Sequence, residues 1–178
     1  MKTLSLLRHA KSGWDDPVER DFDRPLNPRG RRAARAVGRE MRRLGLEFDL
    51  VLASPARRVV ETLEEVAAAY GAIAPRFDER LYLASADTLL EAAGEAGDDV
   101  GRLLLVAHNP GLENLALRLS AGGSDGLRRE VEAKYPTATL AEIALGAARW
   151  SEAGSGGGRV VRLIRPRDLD PALGPDGS

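Results

Sequence analysis

The sequence predicts an α/β fold, a three-layer α/β/α sandwich around a mostly parallel sheet with an antiparallel edge strand. Short apolar segments alternate with amphipathic segments of helical period, which is the pattern of parallel strands joined by helical crossovers. Residues 103–106 are apolar at every position, as in a central strand that is buried on both faces. A chain of 178 residues is long enough for one domain with a single sizeable core.

The first elements follow from local signals in the sequence. Residues 4–7 are an apolar run and predict the first strand. Residues 10–26 have no helical period and predict a long surface loop. Asn27 and Pro28 supply an N-cap and a favoured first helical residue. They predict a helix that ends at Gly45.

The middle of the chain repeats the alternation of strand and helix. Residues 49–53 predict a second strand. Ser54 and Pro55 again have the types of an N-cap and a first helical residue, and they predict a second helix. Residues 76–78 predict a weak strand, and a third helix is expected to begin at about Ser85.

The last part of the chain closes the sheet. Residues 102–107 predict the central strand, and a further amphipathic helix follows it. Residues 137–145 and 159–164 predict late strands that form the antiparallel edge. We therefore expect one domain at residues 1–165. The tail at residues 166–178 is rich in Pro and Gly and is expected to be poorly ordered.

The composition excludes several classes of function. The chain has no cysteine and two histidines, which excludes thiol nucleophiles, disulfides and zinc–thiolate sites. Lys and Arg number 26 and Asp and Glu 27, so the formal net charge is -1. No global positive field is available for nucleic acid or an anionic membrane. No apolar run is long enough for a secretory signal or a membrane span, so we expect a cytoplasmic protein.

Three predicted strands end at residues whose side chains are suited to binding a compact dianion. Arg8 and His9 end the first strand, Arg57 or Arg58 lies in the first turn after the second, and His108 follows the central strand. In an open parallel sheet, ligands bind at the carboxyl ends of the strands. Either histidine alone is more simply explained as a structural residue. Because both histidines of the chain and two suitably placed arginines are predicted at one edge, we favour an anion site.

That set of side chains suits phosphoryl transfer. A neutral imidazole nitrogen can attack phosphorus and form a phosphohistidine. Fixed positive charge from arginines and a second imidazolium can stabilise the equatorial oxygens of the transferring group. The spacing of carboxylates and histidines suggests no metal site, so we expect neither a metal nor a cofactor.

Five segments resemble a known family, the histidine phosphatase (phosphoglycerate mutase-like) superfamily. Residues 7–12 (LRHAKS) resemble its Arg-His-Gly motif, residues 54–62 (SPARRVVET) resemble its Ser-Pro-x-x-Arg-Ala-x-Gln-Thr block, and residues 106–110 (VAHNP) resemble the turn that carries its second histidine. Residues 22–30 (FDRPLNPRG) and 109–113 (NPGLE) are similar to the small SixA-type phosphohistidine phosphatase branch. The resemblance covers roughly residues 4–145, and its combination of motifs is specific.

The resemblance implies a phosphoglycerate mutase-like fold and assigns roles to the site residues. His9 is then the nucleophile, and Arg8, Arg58 and His108 hold the phosphoryl group. Ser12 and Asn109, the latter through nearby backbone amides, are further candidates for phosphate contacts.

The sequence departs from the family pattern at two positions. The glycine of the first motif is replaced by Ala10, and Leu83 stands where many members have a general-acid glutamate. An alkoxide leaving group needs a proton donor, whereas a phosphohistidine leaves as imidazole, whose conjugate acid has a pKa of about 6.5. The sequence therefore favours phosphoramidate substrates, with Asp16, Asp21 or Asp23 of the long loop as alternative donors.

We therefore predict a phosphatase that forms a phospho-His9 intermediate and removes phosphate from phosphohistidine on a protein of a signalling phosphorelay. The alternatives are a small-molecule phosphomonoesterase of the same superfamily and a module that binds a phosphoprotein without turnover. The expected partner is a phosphorylated protein or a small phosphorylated substrate, without nucleic acid or membrane. The arginines of the first helix are read mainly as a solvated face.

Overall fold

A computed structural model describes residues 1–14, 17–18, 20–121, 123 and 126–174. The strands of this part of the chain are β1 (Thr3–Arg8), β2 (Leu50–Ala53), β3 (Arg76–Phe77), β4 (Arg102–Ala107), β5 (Leu140–Ala144) and β6 (Arg159–Ile164). They form one sheet in the order β3-β2-β4-β1-β5-β6. The non-sequential order follows from crossover connections between parallel strands.

The pairing of the strands confirms the predicted mixed sheet. β1, β4, β2 and β3 pair with one another in parallel, whereas β5 is antiparallel to both β1 and β6. In the registers of β4 with its neighbours, Arg8 lies opposite Ala107, and Ala53 lies opposite Val106. The three central strands therefore end at one edge, which puts the residues that follow them side by side.

Helices cover both faces of the sheet. They are α1 (Pro28–Arg43), α2 (Arg57–Tyr70), α3 (Ala86–Gly94), α4 (Gly111–Leu119), α5 (Gly126–Ala133) and α6 (Pro166–Leu169). Along β4, Leu103 and Leu105 pack into the core cluster with α3 and α4, and Leu104 and Val106 pack into the cluster with α1 and α2. A strand that is buried on both faces can carry apolar residues at successive positions. The predicted three-layer α/β/α sandwich is confirmed.

The start of α1 agrees with its prediction, and the start of α2 does not. The Asn27 side chain caps α1 by accepting a hydrogen bond of 2.8 Å from the Gly30 amide. Ser54 was predicted to cap α2 in the same way, but α2 begins at Arg57. The Ser54 hydroxyl instead accepts a hydrogen bond of 3.3 Å from the Ala56 amide and contacts His108. The prediction for Ser54 was wrong because a tertiary contact competes for that hydroxyl.

The prediction of a poorly ordered tail is wrong for residues 166–174. These residues form α6 and a short 3-10 helix, Pro171–Leu173. Leu173 is buried in the core cluster that includes α1 residues, and Arg29 donates a hydrogen bond of 2.9 Å to the Gly174 carbonyl. Leu169 packs against the same core cluster, so two leucines hold this Pro-rich segment on the domain. Residues 175–178 lie outside the described part of the chain.

α5 was not predicted from the sequence. Val131 is fully buried and Leu127 packs against the same core cluster, four residues apart on one helix face. That spacing is the signal that could have identified this helix. In the described part of the chain, no helix has the length and apolar character needed to cross a membrane.

Candidate active site

His9 is held at the end of β1 with one ring nitrogen facing the site. Its amide donates to the Ala107 carbonyl, and the Ala138 amide donates to the His9 carbonyl. The ring is 7% exposed, and its Nδ1 donates a hydrogen bond of 2.8 Å to the Ala10 carbonyl. Because a carbonyl oxygen can only accept, Nδ1 carries the proton and Nε2 is the unprotonated nitrogen with the lone pair.

The surroundings of His9 favour its neutral form. Burial, followed by the nearby His108, Arg58 and Arg8, holds the pKa of His9 well below its usual value of 6.5. At neutral pH the ring is therefore uncharged, as a nitrogen nucleophile must be.

Arg58 connects the two histidines. The side chain is almost fully buried, and its Nε donates to His9 Nε2 across 3.4 Å. Its Nη2 lies 3.5 Å from His108 Nδ1. The ring centroids of the two histidines are 5.2 Å apart. One guanidinium thus faces both imidazoles, as the strand ends predicted.

The orientation of His108 is set by Ser54. His108 Nε2 donates a hydrogen bond of 2.8 Å to the Ser54 hydroxyl, and its Nδ1 faces Arg58. Burial, and next the positive charge of Arg58, lower the pKa of His108 to about 3. The expected second imidazolium is therefore neutral in this ligand-free site. A bound phosphoryl dianion would stabilise its charged form.

Arg8 supplies the second guanidinium. Its Nη1 donates a hydrogen bond of 3.0 Å to the Tyr135 carbonyl, and its buried Nε has no hydrogen-bond partner among the described residues. Burial lowers the pKa of Arg8, but a guanidinium stays charged at neutral pH. An unsatisfied donor on a buried cation is a group that an anionic ligand would satisfy.

Ser12 and Asn109 reach the same cavity but have protein partners. The Ser12 hydroxyl accepts a hydrogen bond from Arg24. The Asn109 amide donates to the Tyr135 carbonyl across 3.0 Å, and its oxygen accepts from the Glu113 amide at the start of α4. The side chain of Asn109 thus secures the turn after His108, and its candidate role as a phosphate contact depends on backbone amides.

Thr62 supports the site, although no role was predicted for it from the sequence. Its hydroxyl accepts a hydrogen bond of 2.8 Å from the Ala10 amide and donates one of 2.6 Å to the Arg58 carbonyl. Thr62 therefore joins the residue after His9 to the helix that carries Arg58. The threonine that ends the resembling block at residues 54–62 was the available signal.

Asp21 is the loop carboxylate that the fold brings into the site. Its Oδ2 accepts hydrogen bonds from Arg58 Nη2 at 3.0 Å and from the Tyr82 hydroxyl at 2.7 Å, and its Oδ1 accepts from Arg24. Burial disfavours the charged form, but the bonds from Tyr82, Arg58 and Arg24 outweigh it and lower the pKa of Asp21 to about 2. Asp21 is therefore ionised at neutral pH and holds no proton to donate.

Among the described residues, neither Leu83 nor Asp23 supplies the site with a general acid. Leu83 has a left-handed backbone (φ 51°), is 56% exposed and lines the cavity without a titratable group. Asp23 forms its ion pair with Arg20, 2.9 Å away. Asp16 lies outside the described residues. Among the described residues, no group of three or more His, Asp or Glu side chains could hold a metal ion.

All six predicted site residues line one open cavity of about 490 Å³ at the carboxyl edge of the sheet. The residues that share it are Arg8, His9, Lys11, Ser12, Asp21, Arg24, Arg58, Leu83, His108, Asn109 and Thr137. A neutral imidazole and two guanidiniums line this cavity at the carboxyl edge of an α/β sheet. Such groups are suited to an enzyme that transfers phosphoryl groups.

Comparisons with known proteins identify the family. Residues 4–82 match the sequence profile of the histidine phosphatase superfamily (branch 1). An uncharacterised protein of Mycobacterium tuberculosis is 38% identical over 164 residues, which cover 90% of this chain and all of that protein. The chain belongs to the histidine phosphatase superfamily, and it is a phosphatase.

Solved structures support the same assignment and the SixA-type branch. A protein assigned as phosphohistidine phosphatase SixA from Nakamurella multipartitia is 28% identical, with a TM-score of 0.79 over 93% of this chain and 96% of that one. Its counterpart from Agrobacterium tumefaciens is also 28% identical, with a TM-score of 0.78 over 93% of this chain and 98% of that one. The predicted phosphoglycerate mutase-like fold is confirmed.

Proposed function

We propose that this phosphatase removes the phosphoryl group from phosphohistidine on a protein, through a covalent phosphohistidine at His9. The observation that carries this proposal is the state of His9: a buried neutral ring whose Nε2 lone pair lies 3.4 Å from the Nε of Arg58. The similar SixA structures are assigned as phosphohistidine phosphatases, which supports the same substrate class here.

In the first step, His9 Nε2 attacks the phosphorus as the bond to the leaving nitrogen breaks. The guanidiniums of Arg8 and Arg58 face the equatorial oxygens, whose charge they stabilise. The hydrogen bond from Nδ1 to the Ala10 carbonyl stabilises the positive charge that develops on the His9 ring. The phosphoryl group is then bound to His9, and the substrate histidine has left.

In the second step, water attacks the phosphorus of phospho-His9. The bond between phosphorus and Nε2 breaks, its electron pair returns to Nε2, and inorganic phosphate leaves with the oxygen of water. His9 is neutral again and ready for another substrate. The water enters through the open mouth of the cavity.

The leaving group explains why phosphohistidine is favoured over an alcohol ester. An alkoxide requires a proton donor near neutral pH, and in this site Leu83 carries none and Asp21 is ionised. When the substrate ring carries a proton on the nitrogen that does not bear phosphorus, the imidazole departs as a neutral molecule. Among the described residues, no carboxylic acid of the cavity holds a proton for the leaving group of a small-molecule phosphomonoester.

The non-catalytic alternative fits the structure less well. A module that only binds a phosphoprotein would use the guanidiniums of Arg8 and Arg58, but it would not need His9 held neutral with its lone pair facing Arg58. A phosphorylated histidine side chain on a protein surface would enter the open cavity.

The test is to incubate the protein with a 32P-labelled phosphohistidine protein and with a phosphoserine peptide. We expect phosphate release from the first, and an alkaline quench should trap label on His9. His9→Ala should lose both turnover and label while keeping the unfolding midpoint of the wild type. Turnover of neither substrate, with no label on His9, would contradict the proposal, and preference for phosphoserine would contradict the leaving-group assignment.

A further inference from the structure

The carboxylate of Asp21 lies at the mouth of the cavity, on the outer side of Arg58. His9 and Arg58 are nearly fully buried, whereas the Asp21 side chain is 37% exposed. The distance from His9 Nε2 to Arg58 Nε is 3.4 Å, and the distance from Arg58 Nη2 to Asp21 Oδ2 is 3.0 Å. Because the nucleophile is buried, the leaving group departs toward the exposed side of the cavity, where this carboxylate lies.

A negative charge at that place is unfavourable for an ester substrate. A departing alkoxide or phenoxide gains negative charge as the bond to phosphorus breaks, and a nearby carboxylate repels it. A phosphohistidine differs because its ring can carry a proton on the nitrogen that does not bear phosphorus. That protonated ring is a cation, which a carboxylate stabilises and accepts a hydrogen bond from.

We propose that Asp21 is the residue that selects phosphohistidine, by binding the protonated imidazole ring of the substrate as the leaving group departs. This inference rests on the proposed function. As His9 Nε2 bonds to phosphorus, the bond between phosphorus and the substrate nitrogen breaks and its electron pair stays on that nitrogen. The proton on the second ring nitrogen remains in place, hydrogen-bonded to Asp21, and neutral histidine leaves. No further proton donor is needed, in keeping with Leu83 at the position of the family's acid.

Among the described residues, four groups act on the charge of the Asp21 carboxylate. Arg58 of α2 and the Tyr82 hydroxyl contact Oδ2, Arg24 of the same loop contacts Oδ1, and His108 lies within electrostatic range. A phosphoryl group would take donors of Arg58 and offset its charge. Oδ2 would then be available to a cation at the mouth, while Tyr82 and Arg24 keep the carboxylate in place.

The experiment compares Asp21→Asn with the matched variant Asp23→Asn. Asp23 belongs to the same 3-10 helix, Asp21–Asp23, but its carboxylate pairs with Arg20 and does not line the cavity. The two probes are a phosphohistidine peptide and p-nitrophenyl phosphate, whose phenolate needs no proton. For each enzyme, the ratio of kcat/KM for the peptide to kcat/KM for p-nitrophenyl phosphate is measured.

Asp21→Asn should lower this ratio about tenfold, the rate equivalent of one pKa unit. Asp23→Asn should keep the ratio of the wild type. An equal loss on both probes would overturn the inference, because Asp21 would then only position Arg58. A ratio that stays constant or rises would overturn it as well. Failure of the wild type to turn over the peptide would instead contradict the proposed function itself.

A measurement on the wild type tests the inference even if Asp21→Asn does not fold. The pH profile of kcat reports the enzyme-substrate complex, and that of kcat/KM reports the free species. Asp21 should stabilise the protonated ring and so raise its pKa in the enzyme-substrate complex. With the peptide, the pH at which kcat falls on the alkaline side should therefore lie about one unit above the pH at which kcat/KM falls. Coincident alkaline limits would overturn the inference.

Discussion

The Nε of Arg58 lies 3.4 Å from the Nε2 of His9, so the cation that we propose for the phosphoryl oxygens also contacts the lone pair that we propose as the nucleophile. Nη1 and Nη2 of the same guanidinium hold the backbone carbonyl and the carboxylate of Asp21. A planar group with donors in a fixed fork can serve these positions together. The ammonium group of a lysine lacks this fork and cannot serve all of these positions at once.

Arg58→Lys should therefore lower kcat/KM by about 100-fold or more, since losing one donor for transition-state charge costs that much in other enzymes. Arg57→Lys is the matched control, because Arg57 is half-exposed and pairs with Glu61 away from the cavity. That control should keep the activity of the wild type. Equal activities of the two variants would show that Arg58 is not part of the site.

The two histidines should not titrate near their usual pKa. Burial holds the pKa of His9 well below 6.5, and the pKa of His108 is about 3. The chain has two histidines, so each imidazole proton signal can be assigned by NMR with His9→Ala and His108→Ala. In the ligand-free protein, neither signal should show the transition centred near pH 6.5 that an ordinary histidine shows. A titration centred near 6.5 would contradict the described burial.

Stability should fall in acid for the same reason. Both folded pKa values are lowered, so the unfolded chain binds more protons below about pH 6.5. The stabilising effect of neutral histidines is complete above that pH and is lost as the pH falls. The free energy of unfolding should decrease by up to about 1.4 kcal/mol per pH unit for each histidine. Urea unfolding at pH 7, 6 and 5 measures this slope. A free energy of unfolding that stays constant over these pH values would contradict the lowered pKa values.

Thr62→Val should lower both the free energy of unfolding and the catalytic activity. The variant removes the partner of the buried Ala10 amide, and an unsatisfied buried donor costs about 1–3 kcal/mol. Because Ala10 follows His9, turnover should fall as well. Thr62→Ser retains the hydroxyl and should recover most of both losses. Denaturant unfolding and kcat/KM for the two variants decide whether the hydroxyl or the methyl group matters.

Gly30→Ala should lower activity, although Gly30 does not line the cavity. A Cβ at Gly30 would lie 2.0 Å from the Lys11 carbonyl oxygen, a backbone atom two residues after His9. Lys11 must move, so kcat/KM and stability should both fall. Gly94→Ala is the control, since its Cβ would meet the Trp150 carbonyl at an ordinary 3.6 Å. Similar behaviour of the two variants would contradict this packing.

Strand positions were predictable because strongly apolar runs and their charged ends are local signals. These signals placed Arg8, His9 and His108 at one edge, and the resemblance added Arg58. The roles of Ser54, Thr62 and Asp21 were not predictable in this way, because each depends on a contact between segments more than 30 residues apart. Three loop carboxylates were equivalent in the sequence, and the tertiary fold alone distinguishes Asp21 from Asp23.

The position of β1 also determines how the enzyme should lose function under denaturing conditions. β1 is paired on both sides, with β4 and β5, so the backbone at His9 opens only when the sheet itself comes apart. Asp21 lies in the segment that connects β1 to α1, and its described contacts with α2 and with Tyr82 are made by the side chains of Arg58 and Tyr82. Mild denaturant should therefore first produce a less discriminating enzyme, with catalysis of activated esters persisting until global unfolding.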